Sequence, residues 1–399
     1  MKNTTLTPTP KTQKNQEEEK DVLINKLIKQ PEIYSKQDTK KLLGVVNDDL
    51  FGAEELVNVI DLKLAILRIF DQNENYKFDN ASSGYLGRLN NLSQNRRNNK
   101  FIKKIKKNPM AMRVVAEGDS WFEHPISDDV IDWIDHLGDK DIAIYSLARG
   151  GDFLTNILEE REYITELSII SPDAFLVSAG GIELVNHRRV SLMVNAEGGY
   201  VTEEYKQQHP LIRKVLDDDT LSSDTKAQIE RGLHFLNREY FSLIAILELK
   251  YKYMIKQLRK KFPDLRMICH GYDYPIPSFR RGSWIKPIGR LMRIIGDNGR
   301  HFKQPMLIKR IIKQQDQNDI AFAMLHLFNE MLYDLVNDPA FGREVFMIDC
   351  RGYAKPVDWF DELHLEPKKI EKVAEAFLQC MNSTEPQQKV FQVRLPAML

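Results

Sequence analysis

Two short stretches of this 399-residue chain carry side chains that could act together in covalent chemistry. The first is Glu117-Gly118-Asp119-Ser120-Trp121-Phe122, and the second is Asp361-Glu362-Leu363-His364-Leu365-Glu366-Pro367. A serine hydroxyl is a weak nucleophile until a base takes its proton, and that base must be held in one tautomer. His364 is the candidate base for Ser120, and Asp361, three residues before it, is the candidate that orients the imidazole. Each piece alone is common. Gly-Asp-Ser occurs by chance, and Asp-x-x-His is an ordinary surface pair. The two gain force from where they fall along the chain.

The elements that must position them read as alternating strands and helices. Apolar runs at 113–116, 142–147, 174–178, 265–269 and 345–349 are short and nearly continuous, as in strands buried on both faces. Amphipathic stretches at 128–137, 153–167, 239–262 and 367–381 separate or follow them. This alternation predicts an α/β fold, a flavodoxin-like three-layer sandwich around a five-stranded parallel sheet. Ser120 follows the first strand, where a helix N-terminus is expected, and Asp361/His364 follow the last strand, just before the final helix. Two segments, about 186–238 and 271–316, exceed the minimal fold and are expected at the rim of the site.

Residues 1–20 are polar and read as a disordered leader. Apolar residues at helical spacing make 21–110 a helical N-terminal region, with assembly or regulation as its expected role and homo-oligomerisation through its helices as one form of that. Arg96-Arg97 and the lysines from Lys100 to Lys107 within it read as a solvated basic face. The domain that carries Ser120 and His364 is expected at 111–383, with 384–399 as a C-terminal tail.

The charge balance is even, with 57 basic and 57 acidic residues, which argues against a nucleic-acid partner. Cys269, Cys350 and Cys380 lack metal-ligand spacing and read as reduced thiols. No His-x-His, His-Glu-x-x-His, P-loop or Gly-x-Gly-x-x-Gly turn appears, so neither a metal nor another cofactor is expected. No secretory signal or stretch of roughly 18 apolar residues is present, and a cytoplasmic location is the expectation.

The order Ser…Asp-x-x-His, with glycine turns Gly150-Gly151-Asp152 and Gly180-Gly181-Ile182-Glu183 after intervening strands, resembles the SGNH (GDSL-type) hydrolase superfamily over about residues 112–382. The order differs from that of α/β-hydrolases and their Gly-x-Ser-x-Gly elbow. The resemblance implies that Ser120 is the nucleophile of an ester hydrolase with Asp361 and His364. It implies oxyanion donors at the backbone N–H groups of Ser120 and Gly151, and a bracing role for Asp119. The third block of that family is Gly-x-Asn-Asp, whose asparagine donates to the oxyanion. Here Ile182 stands at the asparagine and Glu183 at the aspartate. Losing one such donor costs on the order of 10²–10³ in rate. Asn186 and His187, about a helical turn on, are the candidate substitute donors.

Two readings follow. One is a serine esterase or lipase, including phospholipase or lysophospholipase, acting on an acyl-ester small molecule or lipid. The other is a catalytically weakened binding or interaction module of the same fold. Residues 279–313 mix Phe279, Trp284 and Phe302 with arginines and lysines. That composition suits either a peripheral membrane contact or a solvated helix over the rim.

Overall fold

The computed structural model describes residues 84–124, 128–185, 189–279, 299–385 and 387–394. The expected leader, the helical stripes of 21–70, Asn186 and His187 lie outside the described residues, as does the greater part of 279–313. All described residues belong to one unit of the chain.

Among the described residues six parallel strands form the sheet: β1 Met112–Gly118, β2 Ile142–Ser146, β3 Ala174–Ser178, β4 Arg266–His270, β5 Val345–Asp349 and β6 Val390–Gln392. Their spatial order is β2-β1-β3-β4-β5-β6. β1 pairs with β2 from Met112↔Ile142 and with β3 from Val114↔Ala174. The sheet therefore has six strands where the sequence predicts five. Residues 390–392 were expected in a tail, and three residues are too few to show a period. They pair with β5 through Met347↔Val390, and Phe391 is buried there.

The helices that frame the site are α1 Gly84–Lys107, α2 Val130–Leu137, α3 Leu154–Glu160, α4 Glu162–Ile170, α5 Gly181–Val185, α6 Arg238–Lys261, α7 Gln314–Asn337 and α8 Pro367–Asn382. α2 and α8 pack together on one face of the sheet, while α3, α4, α6 and α7 pack on the other. The single helix expected over 153–167 is two, broken at Arg161, whose φ is 56°. α7 stands where the sequence pattern predicts no helix, and its long apolar run is buried almost throughout. Among the described residues no helix is long and apolar enough to cross a membrane.

α1 lies N-terminal to the domain boundary expected at 110/111, yet it packs against edge strand β2. Its side chains satisfy backbone groups along that edge. Gln94 donates to the carbonyls of Leu147 and Ala148, Asn98 accepts from the Ser146 N–H, and Lys104 donates to the Ile142 carbonyl. An open strand edge is a template for unwanted pairing, and this helix covers it.

The chain leaves β1 toward β2 on one side and then crosses over β1 to reach β3 on the other. In open parallel sheets the crevice at this reversal, outside the carboxyl ends of the strands, is where ligands bind. Ser120 sits two residues beyond the end of β1.

Candidate active site

The serine turn is set by a close approach of β1 to β3. A Cβ on Gly118 would lie 2.4 Å from the Ser178 carbonyl oxygen, so only glycine fits there. The next N–H, from Asp119, donates to that same carbonyl at 2.8 Å. The Asp119 carboxylate then accepts from the Trp121 N–H (3.1 Å), the Ser178 hydroxyl (2.9 Å) and the Tyr272 hydroxyl (2.6 Å). Burial pushes its pKa up, and these three donors oppose that rise. Ser120 is not followed directly by a helix, contrary to expectation. A single turn closes on the Asp119 carbonyl through the N–H groups of Phe122 and Glu123, and α2 begins only at Val130. Trp121 and Phe122 are pulled inward, Phe122 against Phe377 of α8 at 5.6 Å between ring centroids.

His364 arrives from the other end of the chain. Ser120 Oγ lies 2.7 Å from its Nε2, and its Nδ1 lies 3.0 and 3.1 Å from the two oxygens of Asp361. With Nδ1 protonated and donating to Asp361, Nε2 is left to accept from the serine hydroxyl. Asp361 also accepts the N–H groups of Leu363 (2.7 Å) and His364 (2.8 Å), which folds 361–364 into a tight turn. Burial would raise its pKa, but the His364 charge and these donors outweigh it and hold the carboxyl well below the usual carboxylate range. A bridge between Trp359 and Leu365 closes the loop, and α8 starts with Pro367 in its first turn.

Gly151, with φ 82°, turns the chain after β2. The loop is tied to the end of β1 by the Arg149 N–H, which donates to the Gly118 carbonyl at 2.8 Å. Neither the Ser120 nor the Gly151 N–H has an acceptor among the described residues. Ile182, in the first turn of α5, lines the same apolar cleft as Ser120, together with Trp121, Val185, Phe302, Trp359 and Leu363. Glu183 reaches the first turn of α3, accepting the Thr155 N–H at 3.3 Å. Burial pushes its carboxyl up to about 7, and its Oε2 is buried without a partner.

Three further residues bear on the site, and the sequence alone did not single them out for it. Glu362, between Asp361 and His364, is buried and accepts four backbone N–H groups. These come from Ser278 (3.1 Å), His301 (3.1 Å), Phe302 (3.3 Å) and Lys303 (2.8 Å). Its signal was present, an acidic residue inside the Asp-x-x-His motif, but its donors are too distant in sequence to be foreseen. His124 packs edge-on against His364, 4.8 Å between ring centroids, and burial together with the charge of His364 lowers its pKa to about 3. Arg97, read as part of a solvated face, is buried against the serine turn. His270, by contrast, lies beneath the site: its Nδ1 is 3.1 Å from Ser178 Oγ and burial lowers its pKa to about 3.

The parallel sheet reverses its winding beside β1, and Ser120, His364 and Asp361 meet in one hydrogen-bonded relay at that point. No protein-family profile and no curated protein matches the sequence. Among solved structures, the chain is similar to phospholipase A1 from Streptomyces albidoflavus NA297, with 10% identity and a TM-score of 0.31 over 71% of this chain and 93% of that one. It is also similar to the acetyl xylan esterase AlAXEase (12% identity, TM-score 0.29, 67% of this chain and 99% of that one). An acetyl xylan esterase from Geobacillus stearothermophilus aligns at 11% identity and a TM-score of 0.29, over 68% and 94% of the two chains.

Proposed function

We propose that this chain is a serine-dependent ester hydrolase working through an acyl-enzyme on Ser120. The observation that carries the reading is the continuous relay from Ser120 Oγ to His364 Nε2 (2.7 Å) and from His364 Nδ1 to Asp361 (3.0 Å). His364 takes the hydroxyl proton as Ser120 Oγ attacks the ester carbonyl, and Asp361 stabilises the imidazolium that forms. The unengaged N–H groups of Ser120 and Gly151 are the donors for the resulting oxyanion. His364 then returns its proton to the departing alkoxide. Water, deprotonated by the same imidazole, frees the acyl group and restores Ser120. Asp119 braces the turn and Glu183 holds the Gly151 loop through α3.

The apolar cleft beside Ser120 favours an acyl chain over a charged group, which suits an esterase, lipase or phospholipase. Phe279, Ile308 and Ile312, on the flanks of the 279–313 stretch, expose apolar surface and support a peripheral lipid contact there. Ile182 favours a second reading, a binding module with weakened catalysis, because it sets an apolar side chain where a donor would serve.

Fluorophosphonate labelling of wild type and Ser120→Ala, alongside p-nitrophenyl esters of short and long chains, tests the proposal. Labelling and turnover lost together in the variant are the expected result. Labelling without turnover supports the weakened module. A folded wild type that neither labels nor turns over refutes the serine mechanism.

A further inference from the structure

We infer that Arg97, on the helix preceding the sheet, is a positioning residue for the catalytic histidine. The inference rests on the serine-hydrolase reading above. Arg97 reaches from α1 into the loop that follows Ser120 and is nine-tenths buried there, with 7% of its surface exposed. One guanidinium nitrogen donates to the Phe122 carbonyl at 2.6 Å and to Glu123 at 2.8 Å. The other donates to Asp129 at 2.6 Å and lies 2.8 Å from Asp132. The fork thus grips the chain on both sides of His124.

Asp129 carries this grip onward. Its Oδ2, the atom that meets Arg97, also accepts the His124 N–H at 2.9 Å. Its Oδ1 accepts the N–H groups of Ile131 and Asp132 and so caps α2. The His124 ring in turn stands against the His364 ring at 75° and 4.8 Å. A path of direct contacts therefore runs from α1 through Arg97, Asp129 and His124 to the imidazole that must face Ser120.

Stability alone does not account for this cluster. Arg97 Nε is buried without a partner, and burial pushes the Glu123 carboxyl up while the Arg97 charge and a Ser93 hydrogen bond oppose that. A buried, incompletely matched ion cluster is a poor source of net stability, because desolvation offsets the Coulombic gain. Its geometric effect is definite: it fixes where the serine turn ends and where His124 stands.

The test uses the full chain, with active sites counted by fluorophosphonate titration so that turnover is expressed per competent site. Arg97→Ala is expected to lower kcat per site by about 10- to 100-fold, since misplacing a reacting group by about an ångström costs that much. KM should move by less than about threefold, because Arg97 does not line the cleft. Millimolar guanidinium should restore part of the lost kcat to Arg97→Ala by filling the vacated fork. Arg97→Lys, which keeps the charge but not the two-sided grip, should fall between. Wild-type kcat per site in either variant overturns the inference, and so does a loss of activity that only tracks a loss of titratable sites. Should Arg97→Ala fail to fold, Arg97→Lys decides by the same criterion. A wild type that shows no labelling at Ser120 fails at the earlier step, and the two failures are thereby distinct.

Discussion

Glu362→Gln separates a carboxylate that holds the Asp361–His364 loop from one that merely sits beside it. In the native chain, Glu362 Oε1 accepts the N–H groups of Ser278 and Lys303, and Oε2 accepts those of His301 and Phe302. Glutamine keeps the shape and one carbonyl oxygen, so two of these bonds survive. The other two N–H groups then face an amide NH₂, donor against donor. At about 1–3 kcal/mol for each buried donor left unmatched, the loss is about 2–6 kcal/mol. Ser278, His301 and Lys303 are only partly buried, which places the expected loss in the lower half, about 2–4 kcal/mol. Urea unfolding followed by tryptophan fluorescence measures it, with Trp121 and Trp359 both in the cleft that Glu362 supports. Ester turnover should fall as well, because the same backbone carries Asp361 and His364. A change below about 0.5 kcal/mol, within the range of ordinary surface substitutions, would refute the four-donor account.

Two more outcomes follow from the same contacts. Ile182→Asn places an amide donor in the cleft beside Ser120. It is expected to raise kcat by up to about 10²-fold while costing stability through a buried polar group; unchanged or lower kcat per titrated site would show that position 182 does not face the developing oxyanion. His270→Phe addresses acid stability: the folded pKa is about 3 against an ordinary value of 6.5, so the unfolded chain binds the proton first as pH falls. Stability is therefore lost below about pH 6.5 by up to about 1.4 kcal/mol per pH unit from this group. Replacing it should flatten that limb in denaturant titrations at stepped pH, and an unchanged slope would count against a neutral, buried His270.

The strands were readable because strands covered on both faces are continuously apolar, and β3 and β5 lie where the runs at 174–178 and 345–349 place them. The serine turn was readable because glycine at a strand end marks a close backbone approach. β6 escaped because three residues have no period, and α7 because its apolar residues leave little polar contrast. The burial of Arg97 is hidden in the sequence for a related reason. In sequence Arg97 stands among lysines and arginines, and nothing local distinguishes the one whose partners lie 25 to 35 residues on.

By itself, then, the sequence determined the alternating α/β order, the serine after the first strand, the Asp-x-x-His before the last long helix, and the isoleucine at position 182. These are local properties of spacing, burial pattern and turn chemistry. Only the tertiary structure decided that Ser120 and His364 meet at 2.7 Å, that Glu362 collects four N–H groups, that Glu183 accepts from the first turn of α3, and that α1 seals the sheet edge and sends Arg97 under the serine turn. Those outcomes depend on which strands become neighbours and on which polar groups must find partners once water is excluded. Both are set by packing the whole chain, and neither is written in any one stretch of it.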